Sequence, residues 1–227
     1  MKQPTKRYAA VTAGLFLLFL LFTVAVKNID VQAIGPNGSE VGFAALNQWF
    51  FDTFGQNILW YHITDWLGVA AIFTAFGFAV LGAVQLIRRK SLKKVDTSLL
   101  LLGGFYLLVI GAYVLFETVV VNYRPVILGT GLEASYPSSH TMIVLCLITT
   151  AVMMFRRLWP EKKALGITAS TAAILIAAVT VIGRLLSGVH WFTDILGGIL
   201  LSAALCMLYY TARPVPQKRM KCQPKEG

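Results

Sequence analysis

The sequence predicts an all-α protein that crosses a membrane six times, and three observations support this. Hydrophobic residues make up 57% of the 227 residues and charged residues only 13%. In soluble domains about 45–50% of the residues are apolar and about 25% are charged. Several apolar runs reach the roughly 20 residues that a helix needs to cross a bilayer. Short basic clusters separate these runs. A chain of this length has room for a single membrane-embedded domain, 1–227, and not for a second soluble domain.

Each predicted span is an apolar run bounded by charged residues or by proline and glycine. The spans cover residues 8–26, 58–87, 98–120, 138–155, 164–182 and 191–211. The second is longer than a bilayer requires, which implies tilt or extension beyond it, and the fourth reaches span length only if it begins at Ser138. Residues 43–54 form an amphipathic segment, predicted to be an interfacial helix on the outer face. A basic tail, 213–227, is expected to anchor the last span at the membrane surface.

The distribution of lysine and arginine predicts the orientation in the cell membrane. Of the 20 lysines and arginines, only Lys27, Arg124 and Arg184 fall on the side opposite the N-terminus. Because basic residues concentrate in cytoplasmic segments, both termini are expected in the cytoplasm, with the Arg124 and Arg184 side facing outward. The alternative for the first run is a secretory signal peptide, although the residues that follow it offer a poor cleavage site.

Composition also argues against other classes. The net charge of +10 comes from basic clusters placed as membrane topology would place them, so nucleic-acid binding is not expected. Cys146 and Cys206 lie in apolar runs and Cys222 in the tail, without the spacing of a zinc site or a disulfide framework. No carboxylate cluster resembles a magnesium site. The sequence predicts no metal and no cofactor, and it carries no prediction of oligomeric state.

Three polar clusters lie where predicted spans end on the outward side. They are Arg124-Pro125, Pro137-Ser138-Ser139-His140, and Arg184 with His190 and Asp194. A helix start and forked arginine donors both suit a phosphate group. If residues 190–194 are helical, Asp194 can accept a hydrogen bond from one ring nitrogen of His190 and leave the other as a nucleophile or base. The clusters therefore predict a phosphate site.

A fourth polar pair stands at the start of the second span. His62 and Asp65 are three residues apart and could share a helical face. No third partner accompanies them, so they are interpreted as interfacial polar residues rather than as a catalytic pair.

The three clusters resemble the tripartite signature of the type 2 phosphatidic acid phosphatase family. That signature is Lys, six residues, Arg-Pro; then Pro-Ser-Gly-His; then Ser-Arg, five residues, His, three residues, Asp. The resemblance implies a metal-independent lipid phosphatase of six spans in which His190, oriented by Asp194, forms a phosphohistidine. It implies that His140 protonates the leaving oxygen and then activates water. It also implies that the phosphoryl oxygens are held by Arg124, Arg184, Ser138 and adjacent backbone N–H groups.

The chain departs from this signature at three positions. Glu117 stands where the family has lysine, and a carboxylate cannot hold phosphate. Glu117 is instead expected to pair with Arg124 or Arg184 and position a guanidinium. Gly183 replaces the family's serine, and Ser139 replaces its glycine, which is mild because a backbone donor and a small side chain remain.

The predicted substrate is a phosphate on a lipid tail, because an outward site walled by apolar helices suits a lipid drawn from the membrane. The family's bacterial members include undecaprenyl-diphosphate phosphatases and phosphatidylglycerophosphate phosphatases. An outward site favours undecaprenyl diphosphate, with phosphatidylglycerophosphate or phosphatidic acid as the alternative. An alternative of another class is a catalytically weak protein that binds or transports lipid phosphates.

Overall fold

The computed structural model describes residues 4–213. The regular structure in this part of the chain is helical, and two isolated β-bridges lie in the connections between helices. The helices are α1 (Pro4–Asn28), α2 (Ala44–Phe54), α3 (Ile58–Arg89), α4 (Thr97–Thr118), α5 (Ser139–Leu158), α6 (Lys163–Ser187) and α7 (Phe192–Ala212). All except α2 are long and apolar enough to cross a bilayer, which confirms the predicted all-α fold of six spans.

The observed helices differ from the predicted spans mainly at their ends. α6 continues to Ser187, so Arg184 lies inside the helix and not beyond it. α4 ends at Thr118, whereas the third span was predicted to end at residue 120. Of the predicted basic tail, only Arg213 is described, and residues 214–227 lie outside the described residues.

The centre of the bundle is formed by α5 and α7. In their most apolar windows, 50% and 44% of the residues are buried, against at most 22% in the other spans. α5 packs against α3, α6 and α7, and α1 packs along α7. The main core cluster includes Leu102, Phe105, Met142, Leu201 and Leu205. The outer helices expose large apolar side chains, as expected of surfaces that face lipid.

The predicted amphipathic segment forms α2, and it is docked on the start of α7. Asn47 is fully buried; its amide nitrogen donates to Thr193 Oγ1 at 2.9 Å, and its Oδ1 accepts from the Thr193 N–H at 3.1 Å. The ring of Phe50 stacks on that of Phe192 with 4.1 Å between centroids. α2 therefore stabilises the first turn of α7, which begins two residues after His190.

Two tight contacts shape the same end of the bundle. Gly188 ends α6 with φ of 65°, and a Cβ there would collide with the Gly55 carbonyl oxygen, so this turn requires glycine. The Asn57 N–H donates to the Ser187 carbonyl at 3.1 Å, which joins the end of α6 to the start of α3. Since α4 ends and α5 and α7 begin at this end, the three predicted polar clusters are brought together there.

Candidate active site

Arg184 projects from α6 toward α3, and its side chain is fully buried. Its Nη2 donates to the carboxylate of Asp65, and the Tyr61 ring lies 5.3 Å from the guanidinium carbon. Nε and Nη1 have no hydrogen-bond partner among the described residues. A buried arginine normally satisfies its donors, so these two N–H groups are available to an anionic ligand.

His140, in the first turn of α5, meets the same carboxylate. Its Nε2 lies 3.0 Å from Asp65 Oδ1. Gly68 on α3 faces the imidazole, and a Cβ there would lie 3.3 Å from His140 Cδ2. A glycine at this position lets α3 approach the histidine closely.

Asp65 is a site residue that the sequence interpretation missed. It was expected to be an interfacial partner of His62, yet the structure places its carboxylate between Arg184 and His140, whereas His62 is exposed. The sequence did carry a signal, because an ionisable residue within a span is by default a functional candidate. Its partners could not be identified, because they come from α5 and α6.

Arg124 lies in the connection between α4 and α5. Its Nε is 3.1 Å from Glu133 Oε2, and its backbone N–H donates to the Glu133 carbonyl at 3.0 Å. The two residues face each other across a short loop that is closed by the bridge between Tyr123 and Ala134. Nε is buried and makes no hydrogen bond among the described residues, so the contact with Glu133 is one of charge, and this donor is available to a ligand.

His190 and Asp194 are connected through Ser135 and not directly. Ser135 Oγ lies 2.9 Å from His190 Nδ1 and donates to Asp194 Oδ2 at 2.5 Å. The expected direct hydrogen bond between His190 and Asp194 was wrong, because α7 begins at Phe192 and His190 precedes it. Asp194 instead caps its own helix by accepting from the Trp191 N–H at 3.0 Å. Ser135 was not predicted as a site residue.

The imidazole of His190 is buried and electrostatically suited to be neutral. Burial, and then the positive charges of Arg124 and Arg184, hold its pKa well below the ordinary 6.5. Nε2 has no hydrogen-bond partner within residues 4–213. A neutral ring bonded through Nδ1 presents its Nε2 lone pair as a nucleophile.

Ser138 and Ser139 begin α5 beside these groups. The Ser138 Oγ accepts from the Thr141 N–H at 3.5 Å as the cap of the helix. The Ser138 N–H donates to the Asp194 carbonyl at 2.8 Å, so this donor is occupied and does not face a ligand. The hydroxyl proton of Ser138 remains available. Ser139 is half-buried and lines a small cavity together with Glu117.

Glu117 does not make the expected ion pair. Arg124 pairs with Glu133, and Arg184 pairs with Asp65. Glu117 lies in the last turn of α4 and is exposed. α4 ends one residue after Glu117, at Thr118, and the connection that follows places Arg124 next to Glu133 instead.

Gly183 has a packing role that accounts for the absence of the family's serine. A Cβ at Gly183 would lie 2.6 Å from Thr64 Cγ2 and 3.0 Å from Trp60 Cε3. Any larger residue would push α6 away from α3. The close approach of these two helices is what places Arg184 next to Asp65. The close packing of these two helices therefore depends on glycine.

Two comparisons relate the chain to known proteins. The model of the PAP2 superfamily matches residues 8–218. The fold is similar to that of a solved protein described as the first transmembrane PAP2 type phosphatidylglycerolphosphate phosphatase from Bacillus subtilis, with a TM-score of 0.59 and 21% identity. That similarity covers 88% of this chain and 94% of the other, and at this identity it establishes the fold alone. No curated protein matches the chain.

Proposed function

Because the chain belongs to the PAP2 superfamily, we propose that it is a membrane lipid phosphatase that hydrolyses a phosphate or diphosphate monoester through a phosphohistidine. The observation that carries the proposal is the buried, unpartnered Nε2 of His190 in the described part of the chain. The same end of the bundle holds Arg184, with two buried N–H groups that lack a partner there, and Arg124. A nucleophile beside unsatisfied phosphate donors suits phosphoryl transfer.

In the first step, His190 Nε2 attacks the terminal phosphorus and a P–N bond forms. The bond from that phosphorus to the oxygen of the lipid product breaks; in a diphosphate this is the bridging oxygen. His140 donates a proton to that departing oxygen. Arg124, Arg184 and the Ser138 hydroxyl bind the phosphoryl oxygens and stabilise the charge that develops on them. Asp65, already in contact with His140 and Arg184, holds both groups in place.

In the second step, water attacks the phosphohistidine. His140, now deprotonated, accepts a proton from the water as its oxygen bonds to phosphorus. The P–N bond breaks, the electron pair returns to Nε2, and inorganic phosphate leaves. The residues that carry out both steps belong to this chain, and the proposal is that no added metal is needed.

For the substrate, we propose undecaprenyl diphosphate. The proposed outward orientation supports this choice, because the diphosphate of that carrier is exposed on the outer side. A site at the end of a bundle that presents apolar helices to lipid suits a phosphate on a long tail. The second candidate is phosphatidylglycerophosphate, which is favoured by the description of the solved protein of similar fold.

Phosphate release from a panel of lipids tests the function. The purified protein is given undecaprenyl diphosphate, phosphatidylglycerophosphate or phosphatidic acid, with a chelator and no added metal. Release that is lost in His190→Ala but kept in His62→Ala, which changes an exposed histidine away from these contacts, supports the proposal and ranks the substrates. Release that persists in His190→Ala, or that requires metal, contradicts the mechanism. No release with any lipid favours the lipid-phosphate binding or transport alternative.

The proposed orientation has its own test. Gly131 is exposed in the connection between α4 and α5, and a Cβ there meets nothing within 4 Å, so a cysteine fits. In a Cys222→Ser background, Gly131→Cys should react with an impermeant thiol reagent in intact cells. Lys93→Cys, at the opposite end of the bundle, should react only after lysis. The reverse pattern would place the site on the cytoplasmic side.

A further inference from the structure

We infer that Ser135 is a positioning residue that sets the tautomer of His190 by carrying the hydrogen bond between Nδ1 and Asp194. The effect on catalysis rests on the proposed function, whereas the effect on the ring does not. None of the three signature clusters includes this serine. Its role follows from which groups in a buried hydrogen-bond network can donate a proton and which can only accept one.

The direction of the two hydrogen bonds of Ser135 is determined by the carboxylate. An ionised carboxylate has no proton to donate, so Asp194 can only accept hydrogen bonds. It accepts one from Asn122 Nδ2 at 3.1 Å and one from the Trp191 N–H at 3.0 Å. Ser135 Oγ lies 2.5 Å from Asp194 Oδ2, so the hydroxyl proton must lie between these two oxygens. The hydroxyl has one proton, and its oxygen can then only accept from His190.

The consequence for His190 is a defined tautomer. With Ser135 Oγ as an acceptor at 2.9 Å, Nδ1 must carry the ring proton, and Nε2 is left with its lone pair. Nε2 is also the nitrogen without a partner within residues 4–213. When Nε2 bonds to phosphorus, the ring becomes positive while Nδ1 keeps its proton. The negative charge of Asp194 then stabilises the ring through the oriented hydroxyl.

Ser135 is held rigidly enough for this role. It is buried, and its backbone N–H donates to the Asn122 carbonyl at 2.9 Å. The same Asn122 donates its side-chain amide to Asp194. The next residue, Tyr136, is buried and its hydroxyl bonds to Thr23 Oγ1 at 2.8 Å. One asparagine therefore fixes both the serine and the carboxylate, so the hydroxyl has little freedom to turn elsewhere.

Nitrogen NMR of histidine tests the tautomer without relying on activity. The chain has only three histidines, so protein labelled with ¹⁵N-histidine gives few ring signals, which His62→Gln and His140→Gln assign. We expect wild-type His190 to be protonated on Nδ1. Ser135→Ala should move the proton toward Nε2, the form that neutral imidazole favours in water. A wild-type ring protonated on Nε2, or an unchanged tautomer in Ser135→Ala, would overturn the inference.

Kinetics test the catalytic consequence. Ser135→Ala should lower kcat on the order of 10²-fold, as expected when a histidine base or nucleophile is held in the wrong tautomer, and change KM little. Ser202→Ala is the matched control, because Ser202 is also buried and, among the described residues, its hydroxyl bonds to a carbonyl of its own helix. If wild type releases phosphate and Ser135→Ala matches it in kcat, the positioning role is wrong. If wild type releases none, the proposed function fails, and the NMR result still decides the tautomer.

Discussion

The Asp65 carboxylate on α3 lies 3.0 Å from His140 Nε2 on α5, and the same carboxylate oxygen accepts from buried Arg184. One acidic side chain thus joins two groups that the proposed mechanism uses for different tasks. It also supplies the negative partner of a fully buried guanidinium. Its loss should therefore be detected both in activity and in stability.

Asp65→Asn should lower kcat/KM about tenfold or more, because Arg184 and His140 lose the charge that positions them. Removing one partner of a fully buried ion pair costs about 3–5 kcal/mol. The side chain of Asp65 is 31% exposed, so a smaller loss of about 1–2 kcal/mol is expected, or about 3–6 °C in Tm. Asp52→Asn, at an exposed position of α2, is the control. Unchanged Tm and activity in Asp65→Asn would mean that this ion pair does not matter.

Gly183→Ser restores the family's residue, yet we expect it to harm this protein. The added Cβ would lie 2.6 Å from Thr64 Cγ2, and overpacking of this kind costs about 1–3 kcal/mol. Thermal unfolding in detergent measures the loss. Gly111→Ser, where a Cβ meets nothing within 4 Å, should leave Tm nearly unchanged. Equal stability of the two variants would contradict the packing role of Gly183.

Glu117→Gln should leave activity within about twofold, because Glu117 pairs with neither arginine of the site. Glu117→Lys adds a positive charge beside the cavity that Ser135 and Ser139 also line. It should lower KM for an anionic lipid, by less than about tenfold because the position is exposed. Initial rates over a range of substrate concentrations measure both variants. A large loss of kcat in Glu117→Gln would show a role that the ion pairs do not reveal.

Acid should destabilise the protein through His190. Burial, and then the positive charges of Arg124 and Arg184, keep the pKa of His190 well below 6.5. The unfolded chain takes up a proton below about pH 6.5 that the native state does not, so stability falls as pH decreases from there. The slope from this histidine is at most about 1.4 kcal/mol per pH unit.

Thermal unfolding between about pH 7.5 and about pH 5 measures this effect. The Tm of wild type should fall more steeply with acid than that of His190→Gln, because the variant lacks this titrating group. The other titratable groups are the same in both proteins, so the difference in slope isolates His190. Parallel curves would show that the native state also accepts the proton.

The six spans and the three clusters could be predicted because their signals are local. A run of apolar residues is visible in the sequence whatever it packs against, and arginines and histidines at span ends stand out from it. The interfacial helix was predicted for the same reason, within one residue of α2. These features depend on the solvent around the chain more than on its tertiary contacts.

The pairing of charges could not be predicted, because it depends on how the helices pack. Asp65 meets Arg184 only because Gly183 lets α3 and α6 approach closely. Asp194 was expected to bond to His190 from their spacing, but α7 starts between them and the carboxylate caps the helix. Helix boundaries are uncertain by a few residues in any sequence-based prediction, and here two residues changed the geometry of the site.

The main-chain bond from the Ser138 N–H to the Asp194 carbonyl, at 2.8 Å, joins the second and third clusters without using a side chain. No exchange of side chains removes it, and at position 138 only proline would delete the donor. This main-chain contact between the two clusters is therefore independent of which side chains the clusters carry. An exposed side chain near these clusters, such as Glu117, can therefore change while the architecture persists.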